Sequence, residues 1–359
     1  MQSLTNSIYD GASPAVDHGS PGLSERTEPA RAGSARRIAA LDFSKGILVL
    51  FMVLYHWMNY FVAGHDWVYK YLRFLPISFT FISGFLIAQV YLSKYKGADL
   101  RVPKRLLTRG FKLLTIAALL NLAPRVVHLG IFRSKADDWS FAQFGWDYFT
   151  GMQPISFSVL VPIAYVLISA TGLFLIAKYW GPAYHMWCLV LVACSAVCEA
   201  KGINSGHLQT VSIGMLGVSV GHISIDKINT LVTHSGLILL AYAAYLAGIS
   251  LLTDTYFLQI FGVCITLLVI YWCGTRNMEE HATGRIAILL GQYSLFSYIV
   301  QIAILQILRG RFQALASAPA LAAVALAACI TGTILSVACL KQSRRRTAVV
   351  DTLYKAIFA

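Results

Sequence analysis

The sequence is short of charge, and of acid above all. Asp and Glu total 16 in 359 residues against 29 Lys and Arg, and charged residues make up 13% of the chain. Soluble globular domains carry about 25% charge, so a water-exposed fold is excluded. Apolar residues fill the gap at 57%, and the mean hydropathy is +0.65. Cysteine is sparse too. The seven, Cys188, Cys194, Cys198, Cys264, Cys273, Cys329 and Cys339, are odd in number and lack metal-type pairing. Most lie in apolar runs, which assigns them to packing and leaves no metal centre in the expectation. No internal repeat is visible. Residues 1–36 lack the apolar core of a signal peptide and are rich in Ser, Pro, Gly, Ala and Arg, which reads as a disordered cytoplasmic tail.

What is present is hydrophobic length. About ten apolar runs long enough to cross a bilayer follow one another, so the expected fold is all-α. They form one polytopic membrane domain over 37–341, followed by a basic cytoplasmic tail over 342–359. The net charge of +13 is unevenly placed. Arg36, Arg37, Lys94, Lys96, Arg101, Lys104, Arg105, Arg276, Arg285, Lys341 and Arg344 to Arg346 fall on one side of the membrane in an alternating assignment. The positive-inside rule then makes both termini cytoplasmic. The same asymmetry accounts for the charge without a nucleic-acid partner and gives the chain a partner in membrane lipid.

The stretch LDFSKGILVLFMVLYHWMNYF, Leu41 to Phe61, has Lys45 at its mouth and His56 inside. At 1.5 Å per residue those two are roughly 16 Å apart, about half of a ~30 Å hydrocarbon core. An ionisable ring at that depth faces a bundle interior or a wet cavity, and is a functional candidate by default. Tyr60, one turn further on, is a candidate partner. Asp42 and Ser44 supply capping chemistry at the helix start.

The next run contains PISFTFISGFLIAQ, where Ser83 and Gly84 allow close helix packing. After it, Arg105, Arg109 and Lys112 recur at helical spacing and form a cationic stripe. Two readings are open for that stripe: contact with lipid headgroups, or recognition of a phosphate-bearing ligand. The longest polar connection, from Arg125 to Pro154, carries His128, Asp137, Asp138, Trp139, Trp146 and Asp147. Trp146 beside Asp147 can stack on and hydrogen-bond a sugar, though the same residues describe an interfacial aromatic belt, the reading the residues alone favour. Gly214, Gly217 and Gly221 mark a later packing face. A single ninth span is expected from Arg285, with Ser294, Ser297, Tyr298 and Gln301 making one polar face that must meet a helix or a cavity.

Three of these stretches, LDFSKGILVLFMVLYH, FISGFLI with KRLLTR, and LLGQYSLFSYIVQ, together resemble the integral-membrane acyltransferase 3 family and the wider transmembrane acyltransferase superfamily, including periplasmic-glucan acyltransferases. The likeness covers roughly 37–121 and 285–308. Lys45 stands where that family usually has an Arg, separated by ten residues from its first-span His, and Gln301 stands where many members have a second His. The resemblance implies acyl-CoA as a cytoplasmic co-substrate, no bound cofactor, and a glycan or glycolipid hydroxyl as acceptor. It implies acyl transfer at His56, as general base or acyl carrier, with Tyr60 and Tyr298 as orienting groups. Lys45, Arg105, Arg109 and Lys112 would hold the donor, and Asp147 and Trp146 the acceptor. The residues alone leave two further classes open: a transporter or flippase of a lipid-linked or anionic solute, and a membrane scaffold without a ligand.

Overall fold

The computed structural model describes residues 38–62, 66–92, 101–126, 141–151, 157–177, 179–203, 206–252, 255–276, 280–311 and 319–358. No strand occurs among them. The chain begins with α1 (Ala39–Phe61), α2 (Asp66–Leu72), α3 (Phe74–Leu86, continued by a π-helical turn at Ile87–Leu92), α4 (Arg101–Val126) and α5 (Phe141–Thr150). Next come α6 (Leu160–Ala177), α7 (Ala183–Ala200), α8 (Gly206–Val220), α9 (Ile225–Thr233) and α10 (Ser235–Leu251). The last five are α11 (Tyr256–Gly274), α12 (Ala282–Gln292), α13 (Ser294–Arg311), α14 (Pro319–Arg346) and α15 (Ala348–Phe358).

Among the described residues, six helical segments are long and apolar enough to cross a membrane, and the number rises to eight if each of two bent pairs is one span. The expected count of about ten is not reached. The cationic first half of α4 and the 17-residue length of α10 keep those two outside the set. A second correction concerns the single ninth span. It is two helices, α12 and α13, that meet at 94° around Tyr293; α8 and α9 meet at 96°. Such breaks are tolerated in a membrane only where the freed backbone finds partners inside the protein. At the α12–α13 joint, Ser297 Oγ donates to the carbonyls of Tyr293 (3.0 Å) and Leu290 (3.4 Å).

Lipid offers no hydrophobic gain for bringing helices together, so close packing has to come from shape. Here glycine supplies it. A Cβ on Gly46 would lie 1.7 Å from the Ala287 carbonyl oxygen, and one on Gly291 would lie 1.7 Å from that of Asp42. The two contacts are reciprocal and press α1 directly on α12. A Cβ on Gly84 would lie 2.0 Å from the Gly214 carbonyl oxygen and one on Gly217 would lie 2.1 Å from that of Phe81, which does the same for α3 and α8. The capping expectation for α1 is revised: the helix starts three residues before Asp42, with Ile38 as N-cap and no side-chain cap bond. Ser44 Oγ donates back to the Ala40 carbonyl (2.8 Å), and Asp42 pairs with Lys45.

The segment expected as a basic tail turns at Thr347 and forms α15, which folds back beside the α12–α13 joint. Asp351 is held below the usual carboxylate range by hydrogen bonds from Lys355 and then from Arg344. A carboxylate lowered in this way is fully paired above the ordinary range, and the pairing is lost only as pH falls through the lowered value.

Replacing Gly291 with Leu should destabilise the protein by about 2 kcal/mol or more, because a bulky side chain must displace backbone. Gly172 has nothing within 4 Å of an added Cβ, so Gly172→Leu should stay within about 0.5 kcal/mol of the parent. Thermal unfolding of both variants in detergent compares them directly.

Candidate active site

The π-helical end of α3 places Tyr91 over α4, where its hydroxyl accepts from Arg109 Nη1 and its ring lies 5.4 Å from the guanidinium carbon. Arg109 and Lys112 line a cavity of about 240 Å³. Its apolar wall comes from Phe79, Leu86 and Ile87 of α3, Leu113 of α4, Leu160, Ile163 and Leu167 of α6, and Ile357 and Phe358 of α15. Ser83, Ser294 and Tyr298 add the remaining polar groups. The result is an apolar chamber with two cations, which suits an amphiphile carrying negative charge.

Tyr298 is 5% exposed and closes the inner end of this chamber. On its other side the ring faces His56, with centroids 6.2 Å apart and planes at 50°. Phe79 and Phe157 hold it from the flanks at 6.5 and 6.0 Å. His56 itself does not line the chamber. Its ring meets Tyr55 edge-on at 5.3 Å and stacks with Tyr60 at 6.3 Å. Nε2 of His56 is buried without a hydrogen-bond partner among the described residues. A buried polar atom left in that state is uncommon and calls for an explanation, of which a substrate group is one. Tyr60 also lies under Arg309, 5.4 Å from the ring.

The structure therefore gathers Arg109, Lys112 and Tyr298 in one chamber, with His56 and Tyr60 behind the tyrosine. It does not place Lys45 or Arg105 with them. Lys45 Nζ lies 2.6 Å from Asp42, an i,i+3 pair that neutralises it locally, and Arg105 is exposed on α4. Of the four cations, two line the chamber. Helix phase does not separate them, since Arg105 is one turn before Arg109 on the same face; it lies about 6 Å nearer the start of α4, beyond the residues that line the chamber. Trp146 is 59% exposed on α5, and neither it nor Asp147 lines the chamber. Their helix is fastened by Tyr148, whose hydroxyl donates to the Leu114 carbonyl (2.5 Å), and by His207, whose Nε2 lies 3.2 Å from the Tyr148 carbonyl. His128, Asp137, Asp138 and Trp139 lie outside the described residues.

The polar face of α13 divides by role. Ser297 serves the joint, Tyr298 the chamber, and Gln301 is fully buried with neither amide atom partnered among the described residues. Sequence reasoning missed Tyr91 and the contribution of α15. For Tyr91 no local signal existed, because its partner is 18 residues away and meets it only after the π-helical turn. For α15 the signal was there: Val350, Tyr354, Ile357 and Phe358 recur at helical spacing.

A second, almost wholly apolar cavity of about 270 Å³ lies among α1, α3, α9 and α11, with Lys227 at its edge. It shares no residue with the first. Comparison with protein-family models returns no match, and comparison with curated proteins returns none.

The orphaned amide gives a test of how dry the bundle is. Gln301→Met should raise stability by about 1–3 kcal/mol, since it removes two buried polar atoms at similar volume. Equal or lower stability in chemical or thermal unfolding would mean that the amide is solvated inside the bundle.

Proposed function

We propose that this chain is a multi-pass membrane acyltransferase of the acyltransferase 3 type. In this reading it transfers a short acyl group, such as acetyl, from cytoplasmic acyl-CoA to a hydroxyl of a glycan or glycolipid. Both termini lie in the cytoplasm, and in a bacterium the membrane is the inner one. The reading is carried by a single observation: Tyr298 borders, with its two sides, a chamber holding two cations and a buried imidazole whose Nε2 has no partner among the described residues.

Arg109 and Lys112 neutralise donor phosphate, and the apolar wall accepts the thioester arm. Neutral His56 takes the proton of the acceptor hydroxyl as its oxygen attacks the thioester carbon. The carbon–oxygen bond forms, the carbon–sulfur bond breaks, and the departing thiolate recovers the proton from the imidazole. In the covalent variant, Nε2 attacks first and the acyl-imidazole is then opened by the acceptor. Both routes need the Tyr298 ring to turn aside, and Tyr60 stacked on His56 fixes the plane of the imidazole. Trp146 and Asp147 enter as acceptor contacts on the opposite side from the donor.

The second reading, a transporter or flippase of an anionic or lipid-linked solute, is favoured by the bends at α8–α9 and α12–α13. Broken helices of this kind line solute paths in transporters.

His56→Ala should abolish acyl transfer with the fold intact in detergent. Arg109→Ala should raise the donor KM roughly tenfold, the value of one charge-assisted contact. Thermal stabilisation of the purified protein by acetyl-CoA, and not by acetate, separates the enzyme from the transporter. Full turnover in His56→Ala removes the imidazole from the chemistry.

A further inference from the structure

The chamber described above is open on one side and would seat only part of the donor assigned to it. Its 240 Å³ lies below the roughly 300–1,000 Å³ that drug-sized ligands occupy, and a nucleotide-bearing thioester is larger than those. One wall differs from the others in how it is held. Ile357 and Phe358 belong to α15, a short helix with no fully buried residue. The remaining walls belong to helices of the bundle itself.

What holds α15 in place converges on Arg344, the end of α14. Its Nε and Nη2 donate to Asp351 Oδ1 at 2.9 and 2.6 Å, and its Nη1 donates to the Tyr293 hydroxyl at 3.2 Å. The guanidinium carbon stacks 4.0 Å above the Tyr354 ring and lies 5.4 Å from that of Tyr293. Besides this hub, α15 makes ring contacts, Tyr293 with Tyr354 at 5.5 Å and Phe296 with Phe358 at 6.0 Å. Helix α15 is therefore clipped to the joint through Arg344 and these rings, and its last turn lines the chamber. Thr347, the one non-helical residue between α14 and α15, is the natural hinge.

We propose that α15 is a lid latched by Arg344, which covers the chamber at rest and lifts about Thr347 to admit the phosphate-bearing donor to Arg109 and Lys112. The inference rests on the reading of the chamber as the donor site. Lifting exposes little, because the helix buries no residue fully, and it removes Ile357 and Phe358 from a wall of the chamber that also holds the two cations. A ligand that enters only after the lid lifts binds at a rate limited by the open fraction.

The test uses the full chain in detergent, with Arg344→Gln and Asp351→Asn as latch variants and acetyl-CoA and palmitoyl-CoA as probes. Hydrogen exchange without ligand should show the amides of 350–358 at least tenfold faster in both variants than in the parent, with α1, α12 and α13 unchanged. Stopped-flow binding should show a several-fold higher on-rate for both thioesters in the variants. Addition of acyl-CoA to the parent should likewise accelerate exchange in α15. Unaltered exchange in both variants overturns the latch. Equal on-rates in parent and variants overturn the gate and leave the donor reading standing. Absence of acyl-CoA binding in all three proteins overturns the donor reading, and the gate with it. Two latch variants guard against a folding defect at one position, since Asp351 is on α15 itself and outside the bundle.

Discussion

Backbone lies directly on backbone where α1 crosses α12. In water, apolar burial would draw these helices together, whereas in hydrocarbon only fit and hydrogen bonding do so. Gly46 and Gly291 allow a separation that no other residue permits, each facing the other helix's carbonyl at 1.7 Å from where a Cβ would be. That crossing fixes the rotation of α1, and so the direction of His56, ten residues beyond Gly46 on the same rigid helix. It also anchors α12 just before its end, so the 94° change of direction at Tyr293 starts from a fixed point. Tyr298, five residues past the joint, reaches His56 because both helices are referenced to one contact.

The joint between α12 and α13 has three uses at once. Ser297 repairs its backbone, Tyr293 at its apex accepts from Arg344, and Tyr298 turns inward one turn later. The C-terminal helix and the chamber thus share a mechanical origin. The same arrangement explains how a weakly buried α15 holds a defined place. It is fastened to a point already made rigid by the glycine crossing, through charge-assisted bonds that are shorter and stronger than neutral ones.

Much of this was legible in the sequence, for definite reasons. The helix of α1, the burial of His56 Nε2 within the bundle and the packing role of Gly84, Gly214 and Gly217 follow from helix period and residue size, which are local properties. So does the facing of Arg109 and Lys112. The bend at Tyr293 was not legible, because RIAILLGQYSLFSYIVQ contains no proline and its polar residues recur at a spacing that one continuous helix accommodates. Its cause is tertiary: α1 arrests α12 at Gly291, and Ser297 supplies the hydrogen bonds that an interrupted helix loses. Lys45 misled for the complementary reason. Its partner is Asp42, three residues back, and it does not line the chamber. The α15 pattern was hidden by the arginines before it, which read as a solvated tail until Arg344 is seen stacked between two tyrosines.

An imidazole set behind a tyrosine is poorly placed for fast access and well placed for selectivity. A thioester beside a neutral histidine in open water is hydrolysed as readily as it is passed to an alcohol, so the competing reaction has to be excluded by geometry. In this molecule the exclusion has two layers. Ile357 and Phe358 of α15 form part of the chamber wall, and Tyr298, 5% exposed and in ring contact with Phe79 and Phe157, stands between the chamber and His56. Under the proposed function, only a ligand with enough binding energy at Arg109 and Lys112 to shift the first layer would gain a position to shift the second. Remote binding energy would then be spent on opening the route to the imidazole, which is how recognition of a distant phosphate is converted into rate at an acyl carbon.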